Sequence, residues 1–510
     1  MLSVSGLSVA SRPKSASTTL VSDVGFDVEP GQVIGVVGPS GSGKTLSGLA
    51  ITGLLPHRLV ASGNVTLGNN PDNLLEASKQ RWRSLRGASL AYVGQNALGS
   101  LHPAYQSKTQ IAEALDAHKT FYRRLTSRQQ RAEDVDALLD AVDLPASAGS
   151  LRPHQLSGGM RQRVAIAMAL ANTPGIVVAD EITTALDPAT EQKILDLLTQ
   201  TTRQQKMGLI LITHNIGAVR RVADEIVTID DGEVVEAGPT RRLLQNPTST
   251  TLTAMVDADQ THHRRDPRPS DQPVLAVNEV TKTYRNQSLR RRRFVAVDKA
   301  SFTICGGETV GLVGPSGSGK STIARIICGL SAPSSGHVTL DEAVVNPTTN
   351  LRPRPDIQLV FQDPYSSLNP RRPIVDQVAE PLIVQKIIRH EALDQAAAIL
   401  TKMGLPENAW NRYPGELSGG QLQRAGIGRA LIVKPTLLVL DEPVAALDPP
   451  VQQAILDLLI ETQEQTDVAY LFISHDHQAV ARIAHRILEL HERQLRPKPI
   501  ASILENHSDA

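Results

Sequence analysis

The sequence has few of the residues on which several classes of protein depend. Only two of its 510 residues are cysteines, Cys305 and Cys328. Two thiols cannot supply a disulfide framework, a four-cysteine zinc site or a four-cysteine iron–sulfur cluster. Both lie in apolar stretches near residue 314, so we expect them to pack in a hydrophobic core.

Long apolar runs and an excess of charge of one sign are also lacking. Runs such as 208–213 are far shorter than the ~20 residues that a membrane span needs. Residues 1–14 read as a first strand and lack the apolar centre of a signal peptide. Basic and acidic residues number 52 each, so no overall field attracts nucleic acid or a membrane surface. We therefore expect a cytosolic chain that reaches a membrane only through partner proteins.

The same phosphate-binding pattern occurs twice. Residues 38–45 read GPSGSGKT and residues 314–321 read GPSGSGKS, each after an apolar run that predicts a strand (33–37 and 309–313). Glycines let the backbone N–H groups approach phosphate, and the helix that follows adds its dipole. The Lys of each copy would reach the β- and γ-phosphates, and the Thr or Ser after it would hold Mg²⁺. The predicted residues are Gly38, Pro39, Ser40, Gly41, Ser42, Gly43, Lys44 and Thr45, and Gly314, Pro315, Ser316, Gly317, Ser318, Gly319, Lys320, Ser321 and Thr322.

Each half also has an apolar strand that ends in an acidic pair, Asp180-Glu181 and Asp441-Glu442. At a strand end in a nucleotide site, the Asp can hold Mg²⁺ through water and the Glu can polarise the attacking water. A merely exposed acidic pair would not explain the four buried-type residues before it in both copies. The pattern predicts metal-binding aspartates and catalytic glutamates.

A histidine follows a further β-type run in each half, at His214 and His475. Both lie 33 residues after the Glu. A structural histidine is the alternative, but the matched spacing favours a side chain that donates a hydrogen bond to the γ-phosphate.

Between these motifs lie LSGGMRQR (156–163) and LSGGQLQR (417–424). Ser-Gly-Gly before a helical run offers a hydroxyl, exposed backbone N–H groups and a helix N-terminus, which together make an anion site. A second anion site in each half makes sense if it completes the nucleotide site of the other half. The predicted residues are Ser157, Gly158 and Gly159, and Ser418, Gly419 and Gly420.

The chain is one domain duplicated. From the Ser-Gly-Gly motif to the histidine, the two halves correspond at a constant offset of 261 residues. We predict one domain over 1–256, closed by a hairpin with Asp231-Gly232 at its turn and a short helix. A flexible linker over 257–273 and a second domain over 274–510 follow. Arg290–Arg293 is predicted as an exposed loop, with a phosphate or lipid contact as the alternative.

Together these motifs resemble those of ATP-binding-cassette ATPases, twice and over nearly the whole chain. The resemblance implies an α/β fold of two tandem P-loop NTPase domains, each with a mixed or parallel sheet core and a helical signature subdomain. It implies ATP and Mg²⁺ as cofactors and ATP hydrolysis as the reaction. It also implies head-to-tail pairing of the cassettes, with each ATP between the phosphate loop of one and the Ser-Gly-Gly signature of the other.

The resemblance distributes the residues between two sites. Asp187 and Asp448 would lie at the cassette–cassette contact, and Tyr284 would stack on adenine. The first site would use Lys44, Thr45, Gln95, Asp180, Glu181 and His214 with Ser418–Gly420, and the second would use Lys320, Ser321, Gln362, Asp441, Glu442 and His475 with Ser157–Gly159. In each set the hydroxyl residue, the Gln and the Asp would hold Mg²⁺.

Further strings are similar to those of the ATPase components of bacterial oligopeptide and dipeptide importers: FQDPYSSLNP (361–370), GQNALGSLHP (94–103) and LSGGMRQRVAIAMAL (156–170). This similarity implies a peripheral subunit on the cytoplasmic face of the cell membrane. Its partners would be two integral-membrane permeases and an extracytoplasmic solute-binding protein, with no nucleic acid. The solute stays open, because related importers carry metal chelates, glutathione or sugars.

Departures from the family pattern concentrate in the first half. Ile182 stands where the family usually has Pro, Asn215 follows the histidine, and no aromatic residue lies near 9–11 to match Tyr284. Any weakness in ATP binding or turnover is therefore expected at the first site.

A soluble twin-cassette translation factor and a twin-cassette sugar-importer ATPase are the alternatives. A translation factor would have a long charged linker, and a sugar-importer ATPase a degenerate second phosphate loop. The short linker and the intact second loop argue against both.

Overall fold

Short runs of Val, Ile and Leu form the central strands of two α/β units. Residues 33–37, 208–212 and 309–313 are buried at every position, as expected for parallel strands that are covered on both faces. The chain divides into two compact units, Met1–Gln260 and Thr261–Ala510. The computed structural model describes residues 1–12, 18–68, 70–94, 97–118, 128–182, 188–260, 272–285, 293–315, 317–345, 354–361, 363–445, 447 and 449–500.

The first unit contains nine strands and ten α-helices among its described residues. The strands are β1 (Leu2–Ser11), β2 (Thr19–Val28), β3 (Val33–Val37), β4 (Leu59–Leu67), β5 (Leu90–Val93), β6 (Ile176–Asp180), β7 (Gly208–Ile212), β8 (Glu225–Asp230) and β9 (Glu233–Pro239). The helices are α1 (Lys44–Ile51), α2 (Lys79–Leu85), α3 (Ala97–Ser100), α4 (Ser107–Asp116), α5 (Arg128–Ala141), α6 (Gly158–Leu170), α7 (Pro188–Gln205), α8 (Ile216–Val222), α9 (Thr240–Gln245) and α10 (Thr250–Gln260).

Two sheets organise this unit. One has the order β5-β6-β7-β3-β8-β9 and is parallel except for the β8–β9 hairpin, and the other is an antiparallel sheet of order β2-β1-β4. A hydrophobic core beneath α1 joins the two sheets. A second core packs α4, α5 and α6 together as a helical subdomain. Because β3, β6 and β7 are parallel neighbours, their carboxyl ends meet at one edge of the sheet.

The second unit repeats this arrangement. Its strands are β10 (Pro273–Arg285), β11 (Arg293–Cys305), β12 (Thr309–Val313), β13 (Ser335–Leu340), β14 (Ala343–Val344), β15 (Ile357–Val360), β16 (Leu437–Asp441), β17 (Ala469–Ile473), β18 (Arg486–His491) and β19 (Gln494–Lys498). Its helices are α11 (Lys320–Ile327), α12 (Pro364–Ser367), α13 (Ile374–Val384), α14 (Arg389–Lys402), α15 (Glu407–Trp410), α16 (Gly419–Leu431), α17 (Pro449–Thr466) and α18 (His477–Ile483). Its main sheet has the order β15-β16-β17-β12-β18-β19, and β11-β10-β13-β14 form the antiparallel sheet.

The predicted fold class is confirmed: both units are α/β, with a mixed, largely parallel sheet and a helical subdomain. The strands predicted over 33–37 and 309–313 have the bounds of β3 and β12. The predicted hairpin is β8–β9, and its turn residues Asp231 and Gly232 both have positive φ. The single short helix expected after it is two helices, α9 and α10, and α10 extends to Gln260.

Other expectations are met in part. Cys305 and Cys328 are both partly exposed, and Cys328 packs against the core of its unit. Arg293 begins β11, while Arg290–Arg292 and most of the predicted linker lie outside the described residues. The domain and linker boundaries stay predictions. Over the described part of the chain, no helix combines the length and the apolarity that a membrane crossing requires.

Candidate functional site

The phosphate-binding patterns form the loops between β3 and α1 and between β12 and α11. Gly43 and Gly319 cap the two helices with φ of 100° and 116°, a region that favours glycine. A Cβ on Gly43 would lie 2.8 Å from Val21 Cγ2, and one on Gly319 would lie 2.6 Å from the Ala296 carbonyl oxygen. The close packing of each loop against the neighbouring antiparallel sheet therefore requires glycine at these positions.

The lysine of each loop is buried and turned inward. Lys44 Nζ donates to the carbonyl oxygens of Gly38 and Pro39 at 2.8 and 2.7 Å. Lys320 Nζ donates to those of Gly314 and Pro315 at 2.6 and 3.1 Å. Both ammonium groups thus lie within the curve of the loop, where phosphate oxygens would be bound.

A hydroxyl and a carboxylate converge beside each lysine. Thr45 Oγ1 donates to Asp180 Oδ1 at 3.3 Å, and Ser321 Oγ donates to Asp441 Oδ1 at 3.4 Å. Burial raises the pKa of both aspartates, which their hydroxyl partners lower in part. Hydroxyl, carboxylate and water oxygens are the ligands that Mg²⁺ prefers, so the donor set of each unit fits this ion.

The predicted catalytic glutamates have an unusual backbone conformation. Glu181 and Glu442 have φ of 48° and 54°, the left-handed region that costs a non-glycine residue free energy. The N–H of each donates to the last residue of the adjacent strand, Ile212 or Ile473, at 2.9 and 2.8 Å. This turn directs the chain out of the sheet directly after the aspartate. The acidic pair was recognisable in the sequence, whereas the left-handed backbone conformation of the glutamates was not.

Each glutamate lies against the predicted histidine of its own unit. His214 Nδ1 is 3.3 Å from Glu181 Oε1, and His475 Nδ1 is 2.8 Å from Glu442 Oε2. The hydrogen bond to Glu442 raises the pKa of His475, although burial opposes it. Burial raises the pKa of Glu181, but the hydrogen bond and charge of His214 bring it below its usual value. Nδ1 of each ring thus faces the carboxylate of its own unit.

One residue that forms a hydrogen bond with this site was not predicted from the sequence. Tyr92, on β5, donates its hydroxyl to Asp180 Oδ2 at 2.7 Å. The contact depends on the pairing of β5 with β6, two strands separated by more than eighty residues of chain. No local pattern around Tyr92 indicates it.

The signature residues lie elsewhere in each unit, at the N-terminus of a helix in the helical subdomain. Ser157 Oγ accepts from the Met160 N–H at 3.2 Å, and Ser418 Oγ accepts from the Gln421 N–H at 3.3 Å. Gly158, Gly159, Gly419 and Gly420 form the first turns of α6 and α16. The structure thus confirms the helix start that the Ser-Gly-Gly pattern predicts. The pairing of these residues with the opposite phosphate loop stays a prediction.

Tyr284 lies near the end of β10, where it pairs across the strand with Phe294. The residue is 40% exposed, and Lys282 Nζ lies over the ring, 5.2 Å from its centroid. The stacking of Tyr284 on adenine stays a prediction. Outside the described residues lie Gln95, Gln362, Ser316, Asp187 and Asp448.

Comparisons with known proteins agree with this geometry. The ABC transporter family matches residues 21–184 and 297–445, one stretch in each unit. The glutathione import ATP-binding protein GsiA of Pectobacterium atrosepticum (strain SCRI 1043) is 38% identical over 537 aligned positions, which cover 97% of this chain and 85% of that protein. The protein of the same name from Escherichia coli (strain K12) is 36% identical with the same coverage.

A solved structure shows the same fold over both units. It is an archaeal ribosome recycling factor in complex with a ribosomal stalk protein, with a TM-score of 0.65 and 18% identity over 98% of this chain and 91% of that chain. At this identity the likeness concerns the fold alone. From the two family matches and the relatives that span both units, the chain belongs to the ABC transporter family as two ATPase cassettes in tandem.

Proposed function

We propose that this protein is the ATP-hydrolysing, energy-coupling subunit of a bacterial importer for peptides. The observation that carries the proposal is the similarity over 97% of the chain to import ATP-binding proteins that also have both cassettes. The name of these relatives makes glutathione, a tripeptide, the first solute to test. Other peptides, metal chelates and sugars are the alternative solutes.

The residues at the sheet edge have distinct roles in the proposed reaction. Thr45 and Asp180, or Ser321 and Asp441, would hold Mg²⁺, which would supply positive charge to the phosphate oxygens when bound. The two lysines and the loop N–H groups hold the β- and γ-phosphates. Glu181 and Glu442 orient water and accept its proton as its oxygen bonds to the γ-phosphorus and the bond to the bridging oxygen breaks. His214 and His475 donate from Nε2 to the γ-phosphate while Nδ1 faces the glutamate.

The two cassettes act as a pair in this proposal. The signature helix of one cassette presents its N-terminus to the ATP held by the other, where its dipole stabilises the charge that develops in the transition state. ATP binding closes the pair and hydrolysis reopens it. A loaded permease can favour closure only by having different affinities for the two states.

The proposed partners are two integral-membrane permeases and an extracytoplasmic solute-binding protein, and the proposed location is the cytoplasmic face of the membrane. The segments that follow Gln95 and Gln362 would contact the coupling helices of the permeases. Both cassettes would share one pair of permeases, which matches their covalent linkage in a single chain.

Affinity purification of the tagged chain from detergent-extracted membranes of its own organism tests the proposal. We expect two polytopic membrane proteins in stoichiometric amount, and uptake of labelled glutathione or dipeptides that is lost when the gene is deleted. Ribosomal or DNA-associated proteins in their place would contradict the transport role. Permeases together with unchanged peptide uptake would keep the importer and overturn the solute.

A further inference from the structure

The two units differ at one position beside the metal-binding aspartate. Tyr92 on β5 pairs with Val178 on β6, and Leu359 on β15 pairs with Val439 on β16. Val178 and Val439 are separated by the 261-residue offset that relates the two halves. Tyr92 and Leu359 therefore occupy the same place in the two sheets.

The hydroxyl of Tyr92 changes how the aspartate is held. In the first unit Oδ2 of Asp180 accepts from Tyr92 at 2.7 Å and Oδ1 accepts from Thr45 at 3.3 Å, so both carboxylate oxygens have a fixed donor. Asp180 is only 1% exposed. In the second unit Ser321 donates to Asp441 at 3.4 Å. The side chain of Leu359 has no hydrogen-bonding group and packs against the core of its unit.

The Tyr92 ring packs against the core that lies beneath α1. A Cβ on Gly94 would lie 3.0 Å from Tyr92 Cε1, and one on Gly48 would lie 3.7 Å from Cε2. The first distance is shorter than ordinary van der Waals contact, so glycine at position 94 makes room for the ring, whereas the second is an ordinary contact.

We propose that Tyr92 is a positioning residue for Mg²⁺ at the first phosphate loop. By binding Oδ2, its hydroxyl fixes the rotation of the Asp180 carboxylate so that Oδ1 faces Thr45 and the metal. A carboxylate already held in its ligating orientation loses less freedom when the ion binds. The first site therefore binds Mg²⁺ more tightly than it would with the leucine of the second unit. The inference rests on the proposed assignment of Thr45 and Asp180 as metal-binding residues.

The test measures metal affinity at one site at a time. The full-length Lys320→Ala variant confines nucleotide-dependent metal binding to the first loop. Electron paramagnetic resonance then measures the binding of Mn²⁺ to this variant in the presence of a non-hydrolysable ATP analogue. We expect Tyr92→Phe to weaken Mn²⁺ binding about tenfold, the usual effect of removing a hydrogen bond that orients a metal ligand. Affinity for the nucleotide without metal should stay unchanged.

Two controls give the result its meaning. Tyr105→Phe removes a hydroxyl from an exposed tyrosine of the same unit and should leave Mn²⁺ binding unchanged. In a Lys44→Ala background, which leaves only the second loop, Tyr92→Phe should also have no effect. Tyr92→Leu, which copies the second unit, should behave as Tyr92→Phe and provides the measurement if the phenylalanine variant folds poorly.

Unchanged or tighter Mn²⁺ binding in both Tyr92 variants would overturn the inference. If the Lys320→Ala protein binds nucleotide but no nucleotide-dependent Mn²⁺, the assignment of Thr45 and Asp180 fails and the inference fails with it. The two failures are distinguishable. If only the role of Tyr92 is wrong, the Lys320→Ala protein still binds Mn²⁺ in the presence of nucleotide, whereas if the metal-site assignment is wrong, it does not.

Discussion

Nδ1 of His475 lies 2.8 Å from Oε2 of Glu442, whereas the equivalent atoms of His214 and Glu181 are 3.3 Å apart. Ser474 Oγ donates to the same Oε2 at 3.3 Å. Glu442 is therefore held by the side chains of Ser474 and His475, the two residues that directly follow β17.

Replacing this carboxylate tests its role as the base. Glu442→Gln keeps the shape but cannot accept a proton, so we expect turnover at the second site to fall about a hundred- to ten-thousand-fold. ATP binding should persist, because the lysine and the loop are untouched. Phosphate release and equilibrium binding of a fluorescent nucleotide separate the two effects.

A matched pair of variants completes that experiment. Glu181→Gln shows how much of the turnover belongs to the first site, and Glu233→Gln, on the exposed face of β9, should leave turnover unchanged. Near-normal turnover in Glu442→Gln would exclude Glu442 as the base.

The imidazole of His475 should titrate above its ordinary pKa of 6.5, because Glu442 stabilises the protonated ring. The stability that this pair provides is complete below the ordinary pKa and is lost as pH rises through the raised value. The difference in thermal midpoint between the wild type and Glu442→Gln should therefore shrink as pH rises from 6.5 through the raised pKa. Histidine-selective NMR titration measures the pKa directly, and a value at or below 6.5 would contradict the argument.

Gly319 should tolerate no side chain. At φ of 116°, with a Cβ 2.6 Å from the Ala296 carbonyl oxygen, Gly319→Ala should lower the free energy of unfolding by more than ~1 kcal/mol and weaken nucleotide binding. Gly426, inside α16, has open space where a methyl group would lie and no positive φ. Gly426→Ala should thus stabilise the protein by up to ~1 kcal/mol, and chemical denaturation compares the two.

The backbone at Glu442 offers a test in which a glycine variant is expected to be more stable than an alanine variant, the reverse of the usual order. Glycine is normally less stabilising than alanine, but at φ of 54° alanine has a steric cost of about 1–2 kcal/mol that glycine avoids. We therefore expect Glu442→Gly to be more stable than Glu442→Ala, although both lose the carboxylate and its hydrogen bond. Equal stability, or a more stable alanine variant, would show that the turn carries no strain.

Local patterns predicted the strands, the phosphate loops and the signature helices, because each depends on residues that are close in the sequence. The bounds of β3 and β12 follow from uninterrupted buried runs, and the hairpin at Asp231 follows from its turn residues. The convergence of loop, acidic pair and histidine also follows from the sequence once the strands are recognised as parallel.

What the sequence could not provide depends on strand pairing and backbone geometry. The contact between Tyr92 and Asp180 requires the β5–β6 register. The left-handed conformation of Glu181 and Glu442 is accompanied by backbone hydrogen bonds to Ile212 and Ile473 on the adjacent strands. Nothing in the composition of either turn favours it, since glutamate is not a residue that this conformation prefers.

The strained turn has a consequence for laboratory evolution of this protein. Because the backbone at Glu181 and Glu442 suits glycine or asparagine better than glutamate, a substitution there can increase heat resistance while it ends catalysis. A screen for soluble expression or thermal tolerance alone would then enrich inactive variants at these two codons. Only a selection that includes growth on an imported solute would retain both acids.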